Sequence, residues 1–143
     1  MSDFEYINLN EVDPTIKPIP DGNYTLRIVK AEVKNGVGKT SQKPYRRFEV
    51  AAQVVNNATY GGRQIYDGLF VNNAASKEAR FLRKIMDATG VTQEEGQPLE
   101  DWFTSLATAK PEFNAIVKTR TYVRGNGDPG ESNCIDFNSV QPA

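Results

Sequence analysis

The sequence predicts a mainly β domain, five strands curled into a small barrel with one or two helices between the third and fourth strands. The first observation behind this is the stretch from Asp21 to Lys34, which is extended in character and has a glycine only at its entry, Gly22. Its apolar residues change sides, with Tyr24, Leu26 and Ile28 on one parity and Val29, Ala31 and Val33 on the other, as in a strand that bends to serve two sheets. The second is the order of periodicities: three segments of period two, then helical periodicity, then two more segments of period two. The third is that 143 residues with one cysteine, Cys134, and no histidine admit neither an internal disulfide nor a thiolate-imidazole zinc site. A chain of this length can instead bury about two thirds of its unfolded surface in one core.

Residues 1–20 read as an N-terminal arm and residues 21–143 as one domain. Pro14, Pro18 and Pro20 interrupt the arm, and Phe4, Tyr6, Ile7, Leu9 and Val12 are what it offers for burial. Asp21-Gly22 is turn chemistry, so pairing of the first strand is expected from about Asn23. A flexible basic loop, residues 35–44, follows that strand. Tyr45 to Val55 alternates as a half-buried strand, with Phe48, Val50, Ala52 and Val54 toward the core and Tyr45, Arg47, Glu49, Ala51 and Gln53 away from it. Asn56 to Gly62 breaks the extended pattern, and Arg63 to Val71 resumes it as a third strand.

From about Asn73 the spacing becomes helical, with Ala75, Ala79, Leu82, Ile85, Met86 and Thr89 on one face, Lys77, Arg80 and Lys84 on the other, and Gly90 as the stop. After Pro98, a second helix places Leu99, Trp102, Phe103, Leu106 and Ala107 on one face, and Trp102 reads as core. In a fourth strand, Phe113 to Arg124, the residues Phe113, Ala115, Val117 and Val123 oppose Asn114, Ile116, Lys118, Arg120, Tyr122 and Arg124. Gly125 to Gly130 is a reversal, and Ser132 to Val140 supplies the fifth strand.

Three strands, helix, two strands is the order of the OB-fold, a five-stranded partly open barrel that binds oligonucleotides across strands two and three and the loops joining strands one to two and four to five. Here those loops are residues 35–44 and 125–131. Charge agrees with that placement. The formal net charge is −1, yet residues 22–48 carry seven bases (Arg27, Lys30, Lys34, Lys39, Lys43, Arg46, Arg47) against Glu32, a local balance of +6, and Lys118, Arg120 and Arg124 form a second basic run. Residues 1–21 are acidic. Solvated strand faces with lysines guarding edges are the alternative explanation of either run. Aromatics interleave with the bases: Tyr45 beside Arg46 and Arg47, Tyr66 and Phe70 on the third strand, Tyr122 between Arg120 and Arg124. Single-stranded nucleic acid is held by such pairings of cations with rings that stack on bases. Tyrosines covering a barrel edge would look the same in sequence.

Catalytic patterns fail on inspection. Gly36-Val-Gly-Lys-Thr40 ends like a phosphate-binding P-loop, but the first glycine would fall on Val33, and Ser41-Gln-Lys-Pro44 cannot open a helix. Pro20-Asp21 with Glu32-Val-Lys34 mimics a metal-nuclease pattern, yet on one extended strand its carboxylates lie roughly 36 Å apart, too far to share an ion. No acid-base pair converges without histidine, so the expectation is a protein that is not an enzyme and needs no cofactor or metal. The N-terminus lacks a basic segment followed by an apolar one, and no 18-residue apolar run occurs, so the chain reads as cytoplasmic, without membrane association.

Ile19-Pro-Asp-Gly-Asn-Tyr24 entering a strand that ends Lys30-Ala-Glu-Val-Lys, followed by Phe48-Glu-Val and by Tyr60-Gly-Gly-Arg-Gln-Ile-Tyr-Asp67, resembles the phage-encoded domain of unknown function 669 family over about residues 15 to 90. The resemblance implies an OB-fold single-stranded DNA-binding protein of phage replication and recombination, located in the host cytoplasm, with replication or recombination proteins as further partners. A strongly acidic C-terminal tail, frequent in single-stranded DNA-binding proteins, is missing, since Asn133 to Ala143 contains only Asp136. The residues expected to bind are Arg27, Lys39, Lys43, Tyr45, Arg46, Arg47, Tyr66, Phe70, Lys118, Arg120, Tyr122 and Arg124. The expected ligand is single-stranded DNA of any sequence, with RNA as a second possibility. The alternative reading is a protein-protein adaptor or virion component built on the same barrel.

Overall fold

Gly22, following the prolines that cannot join a ladder, opens the longest element, β1 (Gly22–Val37), in the computed structural model, which describes residues 7–11, 17–40 and 42–143. The remaining elements are β2 (Pro44–Val55), β3 (Gln64–Phe70), α1 (Lys77–Thr89), α2 (Leu99–Ala109), β4 (Glu112–Val123) and β5 (Pro129–Pro142), preceded by one 3-10 turn, Leu9–Glu11. The fold is mainly β, as predicted, with both helices between the third and fourth strands. The strands form one antiparallel sheet in the order β3-β2-β1-β4-β5.

β1 serves two neighbours, pairing with β4 through Gly22–Arg27 and with β2 through Thr25–Val37. The change of parity read from its sequence has a different cause from the one expected. Ile28 pairs with Ala52 and Lys30 with Ala51, so Val29 is an extra residue in a β-bulge. That one residue resets the phase of the strand. Leu26 and Ile28 before it and Ala31 after it are all buried, and Val33 packs against the same core. The strand bends, but its apolar residues face a single core.

All five strands and both helices contribute to that core, including Leu26, Phe48, Val54, Ile65, Phe113, Val117 and Ile135. The alternation expected of β2 is present, with Phe48, Val50, Ala52 and Val54 all buried. α1 is capped by Ser76, whose side chain accepts from the Ala79 N–H, and ends at Gly90 in the left-handed region (φ 73°). It buries Leu82 and Ile85, whereas Ala75 precedes the helix and is exposed. α2 buries Trp102, Phe103 and Leu106. Phe103 meets Phe48 edge-on at 5.0 Å, and the Trp102 indole N–H donates to the Val91 carbonyl at 2.7 Å, so Trp102 is core and fully satisfied. No helix among the described residues is long and apolar enough to cross a membrane.

Two expectations need correction. Val123, assigned to the core by alternation, is 77% exposed. Beyond Val117, β4 has left its ladder with β1 and pairs only with β5, so the hairpin continues past the core as a two-stranded ribbon. The second concerns closure. Among the described residues no ladder joins β3 to β5, so the five strands form a sheet that is open at that seam where a small, partly open barrel was expected.

Side chains bridge the seam instead. The Asp67 carboxylate on β3 accepts from the Ile135 N–H on β5 (2.8 Å) and from its neighbour's Gly68 N–H (2.8 Å). At one end the segment before β1 fills the gap: Ile19 is buried, and the Asn133 side chain both accepts from its N–H and donates to its C=O, each at 3.0 Å. Arg63 donates to the Lys17 carbonyl beside it. Phe4, Tyr6 and Val12, proposed as apolar anchors of the arm, lie outside the described residues, while Ile7 and Leu9 are exposed.

Candidate nucleic-acid interface

The register of β1, β2 and β3 arranges the sheet's outward side chains in rows that cross the strands. Gly36 lies opposite Tyr45, Lys34 opposite Arg47 and then Phe70, Glu32 opposite Glu49 and then Gly68, and Lys30 opposite Ala51 and then Tyr66. Three exposed aromatics stand on this face: Tyr66 (64% exposed), Phe70 (50%) and Tyr45 (36%). Tyr45 and Phe70 meet edge-on at 5.6 Å. The Arg47 guanidinium lies over the Phe70 ring at 5.4 Å.

Two glycines make these placements possible. A Cβ at Gly36 would stand 2.5 Å from the Tyr45 hydroxyl oxygen, so the ring lies across bare backbone. At Gly68 a Cβ would stand 2.6 Å from Arg47 Nε. The Arg47 Nε is buried and makes no hydrogen bond, since Glu49 Oε1 at 3.4 Å pairs with it only as a charge. Lys34 Nζ reaches the other Glu49 oxygen at 3.1 Å, and Lys30 pairs with Glu32 at 3.3 Å.

Two open clefts run along this face. One, about 660 Å³, lies between Lys39 and Lys43 of the β1–β2 loop and the Tyr45, Arg47 and Phe70 side chains. The other, about 420 Å³, is bounded by Lys30, Glu32, Tyr66 and Asp67 on one side and by Arg120 of the ribbon on the other. They share Lys34, Arg47 and Glu49, so together they form one trough. Six cations and three carboxylates line it.

The ribbon presents a matched surface. Lys118, Arg120 and Tyr122 stand opposite Cys134, Ser132 and Gly130, large residues facing small ones. The Tyr122 ring, 45% exposed, lies across Gly130 as Tyr45 lies across Gly36; a Cβ there would be 2.5 Å from its Cζ. Arg120 reaches back to Asp67 at 3.7 Å. Arg124 is exposed at the tip, where its backbone N–H donates to the Asp128 carbonyl and closes the turn. Burial pushes the Cys134 thiol above its ordinary value, and the Asp67 charge raises it further.

Of the twelve residues singled out from sequence, the trough brings together Lys39, Lys43, Tyr45, Arg47, Tyr66, Phe70 and Arg120. Tyr122 shares the ribbon face with Arg120 and Lys118, although Lys118 is paired with Asp136 at 3.3 Å. Two arginines are occupied elsewhere. Arg27 is bound to Glu112 of β4 at 2.7 Å. Arg46 has the parity of Phe48, so its side chain runs toward α2, where it donates to Glu100 and to the Val71 carbonyl (3.1 Å) and covers the Phe48 ring at 5.1 Å. The Glu100 carboxyl is held below its usual range, first by its own backbone N–H and then by Arg46.

The local balance of +6 is therefore not a bare positive surface. Glu49, Glu100, Glu112, Asp67 and Asp136 lie outside the basic runs in sequence and are folded against them. The pairs made by Glu49, Glu100, Glu112 and Asp136 are part-exposed, and such pairs are worth about 0–1 kcal/mol each, whereas the Asp67 side chain is buried. Lys30 and Lys34, counted in the first basic run but not among the twelve, also line the trough, and the sequence reading missed Glu32 and Glu49 as trough residues and Gly36 and Gly68 as supports. The signal was available only through cross-strand register, which one sequence does not display. The carboxylates of the nuclease-like pattern do structural work: Asp21 accepts from the Thr119 N–H (2.8 Å) and hydroxyl (2.9 Å), and Glu32 holds Lys30. No protein-family model matches the chain, and no curated protein matches it in sequence.

Proposed function

We propose that this chain is a non-catalytic, sequence-tolerant binder of single-stranded DNA, with the trough across β1, β2 and β3 as its binding surface and the β4–β5 ribbon as its second wall. The observation that carries the reading is the joint placement of Tyr45, Phe70 and Tyr66 with Lys34, Lys39, Lys43 and Arg47 on one outward face. Exposed rings serve as stacking platforms, and cations on their flanks track phosphates. The open five-stranded sheet with helices between β3 and β4 suits an OB-type barrel sealed by side chains, whose binding face is this one. A role in phage replication or recombination follows from the family resemblance and belongs to the same proposal, as does RNA as a second ligand.

Anisotropy titrations with oligo-dT, duplex DNA and poly-U test the reading. Oligo-dT is expected to bind well ahead of duplex, and log affinity is expected to fall linearly with log salt, by about 0.7 per phosphate neutralised. Labelled strands incubated with Mg2+ or Mn2+ are expected to stay intact. Failure to bind any single strand would leave the trough as a protein-docking surface, the adaptor reading.

A further inference from the structure

The trough is banded, and the order of the bands has consequences for which bases it accepts. Across β1 and β2, Lys34 faces Arg47 in one row and Glu32 faces Glu49 in the next. Like charges directly opposite each other in a sheet are destabilising, and an alternating pattern with the same residues would avoid both clashes. Here the clash of acids is held by Lys30 on Glu32 and by Lys34 and Arg47 on Glu49. The acidic row lies between the row that carries Phe70 and the row that carries Tyr66. A base stacked on either ring therefore has carboxylates within the neighbouring row, while Lys34 and Arg47 share Phe70's row and the loop lysines Lys39 and Lys43 lie beyond it, away from the acidic row.

We infer that Glu32 and Glu49 make the trough select against thymine and uracil, by accepting hydrogen bonds from the amino groups of cytosine and adenine and repelling the carbonyl that thymine and uracil carry at the same position. The phosphates follow the cationic rows, and the base edges point to the acidic one. Glu49 Oε1 has Arg47 as a charge partner only, beyond hydrogen-bonding geometry, and so keeps lone pairs for a donor, and the Glu32 side chain is 47% exposed. Cytosine and thymine are the cleanest comparison. Both are single pyrimidine rings, and cytosine offers N4–H where thymine offers the O4 acceptor. A carboxylate accepting from cytosine N4 is an established mode of base readout, so binding remains tolerant of sequence but graded.

This inference rests on the single-strand reading and deepens it. The test compares oligo-dC with oligo-dT of equal length near neutral pH, for the parent, for the Glu32→Gln/Glu49→Gln double variant and for Arg47→Glu, with melting curves for each. The parent is expected to prefer oligo-dC by about fivefold or more, the low end for one base contact. The double variant is expected to gain affinity for oligo-dT and to bring the ratio close to one, because the amide can donate to O4. Equal affinities in the parent, or a preference unchanged in the double variant, would overturn the selection while leaving single-strand binding in place, provided that Arg47→Glu still weakens both ligands. Binding of neither oligonucleotide would overturn both readings together.

Discussion

Arg46 and Arg47 are neighbours in sequence and belong to opposite sides of the sheet, a separation that follows from the period of two. Arg46 ties β2 to α2 through Glu100 and the Val71 carbonyl, whereas Arg47 lies on Phe70 in the trough. Arg46→Glu is expected to lower the melting temperature, because it sets a second carboxylate against Glu100, with ligand affinity of the folded protein nearly intact. Arg47→Glu is expected to show a marked loss of affinity for all single strands and a shallower salt slope, beside a fall in melting temperature of its own because it takes a cation away from Glu49. Melting curves and oligo-dT titrations over a salt series on both variants check this. An affinity loss for Arg46→Glu equal to that for Arg47→Glu would contradict the placement. Gly36 gives a test that leaves the binding side chains in place. Gly36→Ala puts a methyl where the Tyr45 hydroxyl and ring now lie, and the ring can swing away. Affinity should fall about as far as in Tyr45→Ala, by ~1–3 kcal/mol, the range for one stacked base.

The ribbon formed by the outer halves of β4 and β5 is the element with the least support from the core and the clearest division of labour between its faces. Lys118, Arg120 and Tyr122 share one face, and Thr119, Thr121 and Val123 the other. Tyr122 both covers Gly130 and exposes nearly half its surface, so packing and stacking are separable by substitution. Tyr122→Phe retains the ring and is expected to bind nearly as well as the parent. Tyr122→Ala is expected to lose about 1–3 kcal/mol of binding. Equal affinity for the two variants, measured beside their melting curves, would reduce Tyr122 to a packing residue.

Elements of this kind were legible in sequence because alternation and turn chemistry are local signals. The parity of Phe48 to Val54, the αL stop at Gly90 and the reversal before Gly130 all sit within a few residues of their cause. The bulge at Val29 was visible only as a parity change, which a bulge and a change of sheet produce alike. Val123 was misplaced because alternation does not report where a strand outruns the core beneath it.

At the scale of the whole molecule, what the sequence could not display was the pairing of distant charges and the manner of closure. Both depend on register between strands far apart in the chain, as in Asp67 with Ile135 and Asn133 with Ile19. Asp67→Ala leaves the Ile135 N–H without a partner in a buried setting and is expected to cost ~1–3 kcal/mol in denaturant unfolding. Asp67→Asn keeps an acceptor and is expected to cost less. The same variant removes a negative charge from beside Cys134, so the pH at which the thiol becomes reactive to an alkylating agent should move down toward the ordinary thiol range. An unmoved pH profile would mean that burial alone sets the thiol.

Sealing β3 to β5 with side chains also determines what the molecule becomes when the seal fails. A ladder would have left no strand edges, whereas here two edges remain, kept from other chains by the Asp67 and Asn133 contacts and by Ile19. Unpaired edges are templates for strands of another molecule. Loosening the seam therefore converts a problem of stability into one of concentration: Asp67→Ala should sediment as the parent does when dilute, and form edge-to-edge assemblies as the protein is concentrated.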